Sequence, residues 1–232
     1  MDIDLKPYFE KYEALVAKAD AAFERVKDAY GECVKCGQTC SDCCYALFDL
    51  TLIEALYIRH KFLETYRGAE KTALMEKANR ADRRIYKLKR NAYNELQAGK
   101  NEGEILAEMA LERVRCPLLN DAQLCDLYAY RPLTCRFYGI PTAIGGAGHT
   151  CGLSGFEPGE KYPTVNLDAV HAELQRISAE LLRDIQSQNI KLADLLVPLS
   201  SAMVTDFDEI YLGVAEEPVE AAPRKKRSRR KK

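Results

Sequence analysis

Cys33-Val-Lys-Cys36-Gly-Gln-Thr-Cys40-Ser-Asp-Cys43-Cys44 gathers five of the chain's nine cysteines into twelve residues. The other four follow as Cys116, Cys125, Cys135 and Cys151, and none lies in the first 32 residues or the last 81. At 232 residues the chain is long enough to bury a core, so disulfides are not needed to hold a tiny fold together. The N-terminal run Met1-Asp-Ile-Asp-Leu-Lys-Pro-Tyr8 has neither a basic n-region nor an apolar h-region. No stretch approaches the roughly 18 uncharged apolar residues of a membrane span. The expectation is therefore a cytoplasmic protein in a reducing setting, where crowded thiols stay free to bind metal.

Working outward from the cysteines, helical periodicity dominates. Residues 5–30 carry apolar positions at Tyr8/Phe9, Tyr12, Leu15/Val16, Ala19, Ala22/Phe23, Val26 and Ala29/Tyr30, with charges between them, and Gly31 follows. The stripe is short for a coiled coil and is expected to pack within the chain. Thr51-Leu-Ile-Glu54 fits a capping box that starts a helix running to about Tyr66. A long helix, basic on its exposed side, is expected over 69–98, a short one over 104–113, and one over 167–187 capped by Asn166. A last helix is expected over Leu192–Met203.

Between these helices, residues 116–156 are glycine-rich and irregular, and need some other source of order. Bound metal would supply it. The fold expected is mainly α, a helical body enclosing a cysteine-rich, loop-dominated core. Its parts would be an N-terminal helix (1–31), a cysteine-cluster domain (32–156), C-terminal helices (157–214) and a disordered basic tail (215–232).

Cys33-x2-Cys36 and Cys40-x2-Cys43 are tandem C-x-x-C steps, each able to aim two sulfurs at one centre. Gly37, Thr39 and Ser41 permit tight turns with amide N–H groups free to bond sulfur. Adjacent side chains of an extended segment point to opposite sides, so Cys43 and Cys44 are expected either to serve two neighbouring sites or to divide into one ligand and one packed or reactive thiol. A mononuclear zinc needs four ligands, fewer than are present. Irregular spacing across a loop-rich segment suits a bulky cluster better than one ion. The expected cofactor is an iron–sulfur cluster, 4Fe–4S, one or two per chain, with zinc as the alternative and disulfide or redox-thiol chemistry third.

Cys116-Pro-Leu-Leu-Asn-Asp-Ala-Gln-Leu-Cys125-Asp-Leu-Tyr128 precedes Arg131-Pro132-Leu-Thr-Cys135-Arg136. With Cys40-Ser-Asp-Cys43-Cys44 upstream, the chain from about 33 to 155 resembles the YkgJ-type cysteine-cluster family. That family is described as chelating zinc or iron, and its members are often labelled Fe–S oxidoreductases. Flagellin lysine N-methylases carry a similar domain. The resemblance implicates Cys36, Cys40, Cys43, Cys44, Cys116, Cys125, Cys135 and Cys151 as ligands. Cys33 is a ninth candidate, and it leaves open which member of the first pair binds.

Arg131 or Arg136 could offset the charge of a thiolate centre, with Pro132 fixing the approach to Cys135. His149 is expected in a supporting or surface role, and His60 and His171 in none. Tyr128, Tyr130, Phe137 and Tyr138 would shield the centre from water. Gly145-Gly-Ala-Gly148 neither follows a clear strand nor opens a helix, so a flexible loop is expected rather than a phosphate cradle. Cys36-x3-Cys40-x2-Cys43 matches a radical-enzyme spacing, but it lies between helices and not after a barrel strand, so radical chemistry is not expected.

Arg224–Lys232 places eight positive charges in nine positions; the remainder is acidic, with 26 basic against 35 acidic residues. The tail is expected either to make weak, salt-sensitive contact with nucleic acid, an anionic lipid surface or an acidic protein, or to serve only as a solubilising terminus. The functions these features support are electron transfer or redox sensing with an unidentified redox or protein partner. Two alternatives are a zinc-stabilised interaction module and a methylase-like modifying enzyme.

Overall fold

The computed structural model describes residues 3–214. The basic run Arg224–Lys232 lies outside them. Seven α-helices carry the described part of the chain, with short strands between, so the fold is mainly α as expected. No helix among the described residues is long and apolar enough to cross a membrane.

Helix α1 (Lys6–Ala29) buries Tyr8, Phe9, Tyr12, Ala19 and Val26, the stripe read from the sequence. It packs on α2 (Leu52–Thr65), α5 (Leu133–Phe137) and α6 (Leu167–Asp184), so the stripe is satisfied within the chain. Phe9 and Tyr12 meet Tyr57 of α2 edge-on or tilted, with ring centroids 5.3 and 4.8 Å away. A second core joins α2 to α3 (Gly68–Gln97) and α7 (Leu199–Val204) through Ile58, Phe62, Leu74, Ala78 and Met203. Helix α4 (Glu102–Leu111) folds back on α3.

Helix starts follow local chemistry. Glu54 accepts hydrogen bonds from the Thr51 N–H at 3.2 Å and the Thr51 hydroxyl at 3.1 Å, closing the capping box. Its other carboxylate oxygen accepts the Leu133 N–H at 3.1 Å. One buried side chain thus joins the starts of α2 and α5. Asn166 caps α6 through the Ala169 N–H at 3.1 Å.

The single helix expected over Leu192–Met203 is not formed. A 3₁₀ turn (Ile190–Asp194) precedes strand β5 (Leu196–Pro198), and α7 begins only at Leu199. Pro198 lacks the N–H a helix interior needs, while Val197 pairs antiparallel with Leu50 of β1 (Asp49–Thr51). Strand pairing and proline together override the helical periodicity.

Gly145 and Gly146 make the turn of a hairpin between β2 (Thr142–Ile144) and β3 (Ala147–His149). Their φ values of 57° and 79° suit the tight hairpin turn that glycine permits. Strand β4 (Val165–Asn166) pairs parallel with β2 and leads into α6.

Candidate metal centre

Cys43 and Cys44 lie in a 3₁₀ turn (Asp42–Tyr45), not in an extended segment. Their sulfurs therefore touch each other instead of pointing apart, and Cys43 also touches the Cys135 sulfur. The expected separation of the adjacent pair is corrected by this turn.

Backbone hydrogen bonds lace the first cysteine loop to the second. Cys116 N–H donates to the Cys44 carbonyl at 2.6 Å, and Val114 N–H to the Tyr45 carbonyl at 3.0 Å. Arg113 donates to the Asp42 carboxylate at 2.5 Å. Residues 118–126 form a tight hairpin: Asp126 N–H meets the Leu118 carbonyl at 2.8 Å, and the Asn120 side chain accepts the Leu124 N–H at 3.0 Å. Cys116 and Cys125 thereby sit at the base of one loop. Cys135 enters from α5.

The mutual influence of the thiols sorts them. Cys43, Cys44, Cys116, Cys125 and Cys135 act on one another. Cys36, Cys40 and Cys151 form a neighbouring set that Cys43 also joins. Cys33 stands apart and is not among the principal charges acting on any of them. It packs against the larger apolar core, and its carbonyl accepts the Gly155 N–H at 2.8 Å. All nine cysteines are free thiols. Among the described residues, no three His, Cys, Asp or Glu side chains are already drawn around one ion position.

Burial pushes the Cys36 thiol up to about 11 and Cys116 up to about 12. Cys135 is raised by its contact with Cys43 and then by burial, whereas contact with Cys135 and Cys44 lowers Cys43. Among touching thiols, one takes the negative charge and its neighbours then resist ionisation. A bound cation reverses that order, because it draws off the protons of every ligating thiol.

Three features suit the thiols to anionic, metal-bound sulfur. First, backbone N–H groups two residues on favour the thiolates: Leu118 at Cys116, Leu127 at Cys125 and Leu153 at Cys151. The Leu153 N–H reaches its sulfur at 3.4 Å. The sequence pointed to Gly37, Thr39 and Ser41 as sources of such donors; the structure supplies them at the other three cysteines.

Second, Arg131 presents its charge to Cys36, Cys43 and Cys125 and favours their thiolates. Its guanidinium stacks on Tyr128, 4.0 Å from the ring centre. Arg136, the other candidate counter-charge, is committed elsewhere. It pairs with Asp20 of α1 at 2.7 Å and donates to the carbonyls of Arg131 and Ala129. Arg136 holds the turn that aims Arg131. Third, the two buried side-chain polar atoms without a partner among the described residues are Arg131 Nε and Tyr12 Oη. Arg131 belongs to this set, and Tyr12, on α1, feels the charge of Cys135.

Tyr138 shields the rim and donates to Asp42 at 2.9 Å, with the Cys151 thiol 3.8 Å from the same carboxylate oxygen. His149 is exposed on β3. His60 pairs with Glu64 at 3.2 Å, and His171 is on α6.

No curated protein and no solved structure matches the chain. A family model does: CxxCxxCC, described as "Putative zinc- or iron-chelating domain", matches residues 32–152, more than half of the chain. The span contains every cysteine, though Cys36 and Cys40 stand three residues apart where the family pattern has two. The chain belongs to this family of zinc- or iron-chelating cysteine-cluster domains.

Proposed function

We propose that Cys36, Cys40, Cys43, Cys44, Cys116, Cys125, Cys135 and Cys151 hold one or two iron–sulfur clusters, and that the protein transfers electrons or senses redox state. Residues 32–156 would be the metal-binding unit, braced by α1 and by the C-terminal helices, in a reducing, cytoplasmic setting. When bound, such a cluster supplies a one-electron couple. The chain's own part is to hold the sulfurs as thiolates, exclude water and set the local charge.

The observation that carries this reading is the set of N–H donors at Cys116, Cys125 and Cys151, joined by the half-buried Arg131 facing Cys36, Cys43 and Cys125. Donors and a cation aimed at sulfur stabilise thiolate and raise a cluster's potential. Eight cysteines in two neighbouring sets exceed the needs of a single zinc.

Zinc remains the second reading, favoured by the same turns beyond Cys116, Cys125 and Cys151. It would make the protein a structural interaction module. Metal and acid-labile sulfide analysis of protein purified without oxygen, with an absorption spectrum, separates them. Iron, sulfide and absorbance that bleaches on reduction are expected. Stoichiometric zinc in a colourless sample would overturn the redox role.

A further inference from the structure

Helix α3 carries a cationic stripe that the metal centre does not use. Arg80, Arg83, Arg84, Lys87 and Arg90 recur at three- and four-residue steps, which puts them on one face. Through Arg80 and Arg84 the stripe continues into a groove beside the second cysteine loop. That groove, about 360 Å³, is lined by Lys77, Arg80, Arg84 and Arg115, with Asp121 its acidic residue. Local acids neutralise it poorly. Arg80 and Glu76 stand 3.9 Å apart, Arg84 and Glu112 4.0 Å, and Arg115 and Asp121 3.6 Å, all at exposed positions where such pairs contribute little. Arg83, Lys87 and Arg90 have no acidic partner among the described residues.

The concentration is local, because the chain without its tail is acidic. It therefore does not follow from overall composition. Spaced about 5–6 Å apart, the cations form a row about 15 Å long from Arg80 to Arg90. Beside the row, Tyr86 and Tyr93 are 63% and 61% exposed, seven residues apart and so on one flank of the helix. Large aromatic side chains left this open next to a cationic row match a platform for stacked bases more closely than a surface for an acidic protein.

We propose that the exposed face of α3, with its adjoining groove, binds single-stranded nucleic acid. Arg80, Arg84, Lys87 and Arg115 meet the phosphates, and Tyr86 and Tyr93 stack on bases. The chain's own basic tail is repelled from this face and is not its occupant.

The test measures anisotropy of a labelled, mixed-sequence single-stranded RNA with the full chain across a salt series. Three variants accompany it: Arg80→Glu/Arg84→Glu/Lys87→Glu, Tyr86→Ala/Tyr93→Ala, and a chain with the basic residues of 224–232 replaced by Gln. Circular dichroism checks that α3 stays helical, and an Arg80→Gln/Arg84→Gln/Lys87→Gln variant replaces the first if it does not. Charge reversal is expected to weaken binding at least about tenfold. It should also flatten the slope of log affinity against log salt by about 2, roughly 0.7 for each lost phosphate contact. The tyrosine variant is expected to weaken binding by about fivefold or more with that slope unchanged. Absence of binding at low salt overturns the proposal, as does binding lost only when the tail is neutralised. Equal displacement by polyglutamate, or indifference to the tyrosine pair, overturns the assignment to nucleic acid.

Discussion

Gly139 stands so close to Cys36 that a Cβ at Gly139 would lie 2.4 Å from the Cys36 Cβ and 3.2 Å from its sulfur. The backbone there has φ of 103°, outside what other residues adopt easily. Glycine thus meets two demands at once, a strained turn after α5 and the close approach of the first cysteine loop. Gly139→Ala is expected to cost about 2–4 kcal/mol from strain and overpacking. It should also lower bound metal by displacing Cys36. Denaturant melts and metal stoichiometry on the same preparation check both parts; an unchanged midpoint would show that the contact relaxes freely.

Cys43 is the thiol shared by both sets, and Cys33 belongs to neither. Cys43→Ser is expected to remove most of the bound metal and to loosen the 116–151 loop. Cys135→Ser is expected to do the same, because its sulfur contacts Cys43. Cys33→Ser is expected to keep the full metal content. Elemental analysis after chelator challenge, with proteolysis of the loop, distinguishes them. Equal metal loss in the Cys33 and Cys43 variants would contradict the sorting.

Arg131 acts through charge and Tyr128 stacking, not through a covalent bond to metal. Replacing it with methionine keeps the bulk and removes the cation. Metal affinity is expected to fall about 10–100-fold, the usual effect of losing a group that supports the ligands. Arg131→Lys is expected to recover part of it, since the charge returns without the planar stack. Competition with a chelator of known affinity gives the number. Equal affinity in all three proteins would assign Arg131 to packing alone.

Glu54 is buried at 2% exposure, and desolvation raises its pKa despite three donors. A raised acid binds its proton more tightly in the folded state. Its contribution to stability is therefore greatest below the ordinary carboxylate range and is lost as pH rises through the folded value. Glu54→Gln presents an amide NH₂ to one of the N–H donors and is expected to cost about 1–3 kcal/mol. It also removes the titration, so the gap between the two proteins should narrow as pH rises. Urea midpoints from acid to neutral pH measure the gap. A gap that widens would reverse the assigned direction.

Much of the helical frame was legible before the structure. The Thr51–Glu54 box and the Asn166 cap are satisfied by residues within three or four positions, so their signals are local. The buried stripe of α1 is local in the same sense, a periodicity within one element. The helix expected over Leu192–Met203 failed because Val197 pairs with Leu50, nearly 150 residues away in sequence. Periodicity cannot register such a partner.

The cysteine set shows the same division. Residue type and density, read from the sequence alone, confined every cysteine to residues 33–151 and pointed to metal binding, and the zinc- or iron-chelating family model covers the same stretch. Which thiols meet was decided only by the tertiary structure. The 3₁₀ turn at Asp42–Tyr45 turned Cys43 and Cys44 toward one another, and the Cys44–Cys116 backbone bond brought the two loops together. The choice between Arg131 and Arg136 was likewise tertiary, because Asp20 of α1 claims Arg136 from 116 residues away. Capping and helical periodicity are short-range and are written in consecutive residues. The grouping of thiols and the aim of a counter-charge depend on long-range packing, where several local solutions are equal until the core selects one.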